Sequence, residues 1–113
     1  MRLSIVDRSG FLSDDLHVLT ERRLLFALAR FDSSIKQISV VFSDSHGPRG
    51  GIDKSCCITV KIRRAPDVTV SDHDSDVAAC ITRSIARTGR AVTRAVERAQ
   101  CFDGTGPFAG AEG

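Results

Sequence analysis

The feature that most limits how this chain folds is an arginine repeat near its C-terminal end. Arg83, Arg87, Arg90, Arg94 and Arg98 follow one another at spacings of four, three, four and four residues. At the helical rotation per residue this places all five within an arc of roughly 80°, while Val77, Ile81, Ile85, Val92 and Val96 fall on the opposite side. A helix is therefore predicted over about 75–101. Its apolar side needs a second layer to cover it, so the rest of the chain must supply that layer.

The upstream sequence has the two-residue period of strands. Residues 2–7 carry Leu3 and Ile5 on one face and end at Ser9-Gly10. Residues 35–43 alternate Ile38, Val40 and Phe42 with Gln37, Ser39 and Ser43, Val41 being the exception. Residues 54–64 put Cys56, Ile58, Val60 and Ile62 inward and Cys57, Thr59, Lys61 and Arg63 outward. Ala65-Pro66-Asp67 predicts a turn into a short fourth strand at Val68 and Val70. Between the first two strands, Ser13 followed by Asp14 and Asp15 starts a helix that runs to about Phe31. Its apolar residues, Leu16, Leu19, Leu24, Leu25, Phe26, Leu28 and Phe31, surround much of the circumference, so it is either well covered or partly exposed at a partner surface. Residues 44–53, with His46-Gly47-Pro48-Arg49-Gly50-Gly51, read as a loop.

The expected fold is an α+β domain of order β-α-β-β-β-α, with a four-stranded, mostly antiparallel sheet and both helices on one face. The helix between the first two strands implies a right-handed parallel crossover there, and short connections make the other pairs antiparallel. Residues 1–102 form this domain, and 103–113, rich in glycine and without periodicity, are expected to be a flexible tail.

A length of 113 residues suits one core. No apolar run is long enough to span a membrane, and Met-Arg-Leu-Ser-Ile-Val-Asp turns charged before a signal segment develops. The protein is expected in the cytoplasm, with Cys56, Cys57, Cys80 and Cys101 reduced and, lacking C-x-x-C spacing, not a zinc site. Tryptophan and tyrosine are absent, which disfavours a reader of single strands, although six phenylalanines remain. Asp72-x-Asp74-x-Asp76 opens like a calcium loop, but Val77 stands where such a loop needs glycine and Arg83 where it needs glutamate. These carboxylates read instead as caps for the second helix. His17, His46 and His73 form no ligand or nucleophile pattern, and Gly104-x-Gly106 lacks the strand and helix of a phosphate site. No catalytic constellation, cofactor, metal or small-molecule substrate is expected, nor a membrane or DNA partner.

The stripe then carries the functional argument. Like charges three and four residues apart repel by a few tenths of a kcal/mol per pair, and along the helix only Glu97 stands near enough to relieve them. A solvated face has the same appearance. A phosphate backbone, however, pairs with guanidinium in bidentate geometry and releases counterions on binding. Outward Lys61 and Arg63, with Arg64, Lys54 and Arg49 nearby, extend the positive surface. The net charge of +2 and pI near 8.5 add little to this, since distribution matters more than total.

The stretch Val41-Phe-Ser-Asp44-Ser-His-Gly-Pro-Arg-Gly50-Gly51-Ile-Asp53-Lys54-Ser-Cys56 resembles the strand, glycine-bearing loop and Asp-Lys-x-Cys strand start of the short ribosome hibernation promoting factors, also called ribosome-associated inhibitors. The run from Val68 through Asp76-Val-Ala-Ala and the closing helix with Ile81, Arg87 and Arg90 are similar too, so the likeness covers about residues 1–101. The resemblance implies a β-α-β-β-β-α domain that lodges in the decoding region of the small ribosomal subunit and occludes messenger and transfer RNA. It implies an RNA-facing surface made by Arg83, Arg87, Arg90 and Arg94, with Arg22, Arg23 and Arg30 of the first helix. Many relatives have a lysine-rich closing helix and a basic tail, where this chain has arginines and a neutral tail; the dimerisation domain of long members is absent from the sequence. Two other readings share the same fold: a generic binder of structured RNA, and a protein-interaction module.

Overall fold

The computed structural model describes residues 2–8, 10, 12–46 and 52–104, with side chains except at 45, 46, 52, 53 and 100–104. Strand β1 (Arg2–Asp7) leads into helix α1 (Asp14–Leu28) and a 3-10 turn over Ala29–Ser34; strands β2 (Ile35–His46), β3 (Ile52–Ile62) and β4 (Val68–Asp74) precede helix α2 (Val77–Gly104). The sheet runs in sequence order, β1-β2-β3-β4. β1 pairs with β2 in parallel, and the β2–β3 and β3–β4 pairs are antiparallel, as the connections require.

Alternation decides which side is covered. Ile38, Val40 and Phe42 of β2 and Cys56, Ile58, Val60 and Ile62 of β3 are buried in one cluster with Leu24 and Leu28 of α1 and Cys80, Ile81, Ile85, Val92 and Val96 of α2. Both helices thus lie on one face of the sheet. Burial of each large apolar side chain in that layer stabilises the fold by roughly 1.5–3 kcal/mol. Among the described residues three hydroxyl side chains share the buried zone, and each satisfies itself on its own helix: Thr20 donates to the Leu16 carbonyl, Ser84 to that of Cys80 and Thr88 to that of Ser84. The other sheet face carries a row of hydroxyls, Ser4, Ser39, Thr59 and Thr69, in register across all four strands.

The link from β1 to α1 is tied by one carboxylate. Asp7 accepts from the backbone N–H of Gly10 (2.9 Å) and Leu12 (2.8 Å), which requires Gly10 at φ 74°, a conformation glycine adopts without steric cost. Ser13 Oγ then accepts from the Leu16 N–H and caps α1.

Several boundaries differ from expectation. The first helix ends at Leu28 rather than Phe31, because the chain tightens into the 3-10 turn, where Phe31 leaves helical geometry and Ile35 N–H caps the Phe31 and Asp32 carbonyls. The loop predicted at 44–53 is shorter: Asp44, Ser45 and His46 pair with Lys54, Asp53 and Ile52, extending both strands. Asp72 and Asp74 continue β4 instead of capping α2, and only Asp76 caps it, accepting from the Ala78 N–H at 3.1 Å. Strand β3 ends at Ile62, so Arg63 falls in the turn. Arg49 and the tail beyond Gly104 lie outside the described residues.

Candidate nucleic-acid interface

The five stripe arginines are all exposed on α2, opposite its buried side, but they do not form a uniform surface. Because β4 runs on through Asp74, two inward carboxylates stand under the first turns of α2. Arg83 Nε donates to Asp72 Oδ2 (2.7 Å) and Nη2 to Asp72 Oδ1 (3.1 Å), a two-bond fork, while Nη1 donates to Asp74 Oδ2 (3.1 Å) and Nη2 also to the His73 carbonyl (3.2 Å). Arg87 Nη1 donates to the Ser71 carbonyl (3.1 Å) and stands 3.7 Å from Asp72 Oδ2. The Arg83 fork holds the Asp72 carboxyl down at about 2, below its ordinary 3.8. Asp74 is also lowered, first by the Asp76 N–H and then by Arg83. Arg83 itself is raised, by the hydrogen bonds to Asp72 and then Asp74.

These carboxylates supply the counter-charge that the helix alone lacks, but only for its first half. Among the described residues, no carboxylate lies within ion-pair distance of Arg90, Arg94 or Arg98. Arg90 and Arg94 instead rim a groove of about 560 Å³ between the two helices, with Arg30 on the facing rim. Arg30 Nη2 donates to Thr93 Oγ1 (3.3 Å), and its guanidinium lies 4.6 Å from the centre of the Phe31 ring. The groove floor is made of small residues: Ala27 on α1, and Ala86, Gly89 and Thr93 on α2. Chemically this is a concave surface with three arginines on its two edges and one carboxylate, Glu97, in its lining, open enough for an anionic chain to lie in.

The remaining basic residues separate. Arg22 and Arg23 are exposed on α1. Arg63 and Arg64 line a smaller depression beside Val96 and Ala99, close to the C-terminal half of α2. Arg64 holds a left-handed φ of 61° there. Lys61 lies on the uncovered sheet face, in the row with Gln37 and Arg2, and so points away from the stripe. Lys54 sits on the helix side between its cross-strand neighbours Asp44 and Asp74. Lys61 therefore does not extend the α2 surface as expected.

The two buried thiols are held in their unreactive form. Cys56 and Cys80 are buried; burial pushes Cys56 up to about 12 and raises Cys80 as well. Among the described residues no group of three or more His, Cys, Asp or Glu side chains is placed to hold a metal ion, and no helix is long and apolar enough to cross a membrane.

No protein-family model and no curated protein sequence matches the chain. Among solved structures, the fold is similar to that of a ribosomal subunit interface protein from Coxiella burnetii, with a TM-score of 0.65 and 16% identity over 83% of this chain and 96% of that one. It is equally similar to the Thermus thermophilus Protein Y N-terminal domain, at a TM-score of 0.65 and 23% identity, covering 83% of this chain and 98% of that domain. The β-α-β-β-β-α fold expected from the sequence is therefore one that both of these proteins share.

Proposed function

We propose that this protein is a ribosome hibernation factor that binds small-subunit RNA without catalysing a reaction and blocks the decoding region. The observation that carries this reading is the groove between α1 and α2, rimmed by Arg30, Arg90 and Arg94 and continued by Arg98, on a fold shared with a ribosomal subunit interface protein. Guanidinium groups facing one another across a groove fit a phosphate backbone held between two helices. Arg22 and Arg23 extend the surface along α1, and Arg63 and Arg64 extend it past the end of the stripe. Arg83 and Arg87 contribute less, since carboxylates from β4 already answer their charge.

Sedimentation of the purified protein with ribosomes through sucrose, across a salt series, tests the reading. Pelleting with small subunits that weakens as salt rises supports it, because released counterions make phosphate binding salt-dependent. Equal affinity for free duplex RNA would indicate a generic structured-RNA binder. Absence of pelleting at every salt concentration would leave the protein-interaction module.

A further inference from the structure

Helix α1 buries Leu24 and Leu28 completely, yet Phe26 between them is 86% exposed. Among phenylalanines whose side chains are described, the other two are Phe42, in the core, and Phe31, half-buried against Arg30. Phe26 is thus a free aromatic face of a kind that the core does not use. Its surroundings are cationic. Arg22 and Arg23 precede it by four and three residues, which places them beside it on the helix surface. Arg30 follows four residues later and belongs to the rim of the inter-helix groove. The acidic residues of α1, Asp14, Asp15 and Glu21, all precede Arg22 in the chain.

We infer that Phe26 is a stacking platform for one unpaired base of the bound RNA, with Arg22, Arg23 and Arg30 holding the phosphates on either side of that nucleotide. An apolar ring flanked by three cations, with Leu25 the exposed apolar residue next to it in the chain, matches a nucleotide better than it matches an apolar protein surface, because docking the latter would take guanidinium groups out of water without supplying them an anionic partner. Nucleobases have a π-face whatever their sequence, and a single platform anchors one base rather than tracking a strand. The small number of aromatic residues in this chain accords with that division of labour, in which arginines along the groove follow the backbone and one ring fixes the register. The inference rests on the RNA-binding reading above and adds to it a specific requirement for a single-stranded position in the target.

The test titrates Phe26→Ala, Phe26→Leu and Phe26→Trp against isolated small subunits and against a short single-stranded oligoribonucleotide, with Arg90→Gln/Arg94→Gln as reference. All Phe26 variants should keep the native Tm, since the side chain is exposed. The expected result is a loss of affinity of roughly 5- to 150-fold for alanine, a similar loss for leucine, retention for tryptophan, and an unchanged salt dependence in all three. Leucine binding as tightly as phenylalanine would overturn stacking in favour of plain apolar contact. If the Phe26 variants all bind normally while the arginine pair loses affinity, stacking is wrong and the RNA reading stands. A chain that binds the oligoribonucleotide through Phe26 but ignores small subunits would uphold stacking and refute the ribosomal reading; one that binds neither refutes both.

Discussion

Neutralising the two halves of the arginine stripe separately should produce two different phenotypes. Arg90 and Arg94 have no carboxylate partner among the described residues, so Arg90→Gln with Arg94→Gln removes two cations from the groove rim and little else. Each phosphate contact contributes about 0.9 to the slope of log K against log salt. Losing two contacts should therefore flatten that slope by about 1.8, so that a fourfold rise in salt weakens the native protein about 12-fold more than the variant. Stability should move by less than about 0.5 kcal/mol, as for other exposed substitutions, and any change should be toward greater stability as like-charge repulsion along the helix is relieved. Arg83→Gln should behave in the opposite way. It strips the fork from Asp72, whose side chain is only 13% exposed, and leaves two carboxylates side by side on one face of β4. The Tm should fall while the salt slope stays near that of the native protein. The assay is small-subunit binding over a salt series, paired with thermal melts of each variant. A slope unchanged by the Arg90 and Arg94 substitutions, or one flattened by Arg83→Gln at constant Tm, would refute the division of the stripe.

Three further outcomes follow from the same geometry. Because Asp72 titrates near 2 in the fold and near 3.8 in the unfolded chain, its contribution is complete above pH 4 and is lost as pH falls toward 2; the Tm gap between native protein and Asp72→Asn should close over that range, and a gap independent of pH would contradict the Arg83 pairing. A Cβ added at Gly89 meets nothing within 4 Å, so Gly89→Ala should stabilise α2 by about 0.5–1 kcal/mol in chemical denaturation without loss of binding, whereas Gly89→Leu should fill the groove and weaken small-subunit affinity. With Cys56 at about 12, its thiolate is scarcer than that of an ordinary thiol by a factor on the order of 1000, so alkylation at pH 8 should reach the half-buried Cys57 before Cys56, and Cys56 only on unfolding, as peptide mapping would show.

The fold was legible because two periods carry it. The alternation of Ile38, Val40 and Phe42, matched by Cys56, Ile58, Val60 and Ile62, and the one-sided burial of Ile81, Ile85, Val92 and Val96 leave a single way to form a covered layer. Local chemistry placed the Ser13 cap. What could not be read was where strands stop, since pairing energy depends on a neighbour distant in the chain: Asp44 to His46 look like loop residues until Ile52 to Lys54 lie beside them. The site failed in the same way. Nothing near Arg83 in the helical period announces Asp72, eleven residues earlier and on a different element. The groove had a faint signal, the small residues Ala86, Gly89 and Thr93 at spacings of three and four along one flank of the stripe. The opposing rim, Arg30, is joined to them only by the packing of the two helices.

That division bears on how the proposed interface achieves selectivity. Five unpaired arginines on one straight helix would attract any polyanion, because a phosphate is attracted to an exposed cation whatever the shape of the chain that carries it. Here the sheet withdraws the first two, through Asp72 and Asp74, and uses them to fix α2 against β4. Arg90 and Arg94, which have no carboxylate within ion-pair distance among the described residues, then stand where α2 meets α1, on the rim of a groove whose width is set by Ala27, Ala86 and Gly89 and whose lining includes Glu97. A ligand reaching both rims must fit that width, and one reaching Phe26 as well must present an unstacked base at a set distance from its phosphates. Under the proposed function, selectivity thus comes from the rigid spacing of α1 and α2, and the carboxylates of β4 act on RNA binding indirectly, by holding α2 in position rather than by touching the ligand.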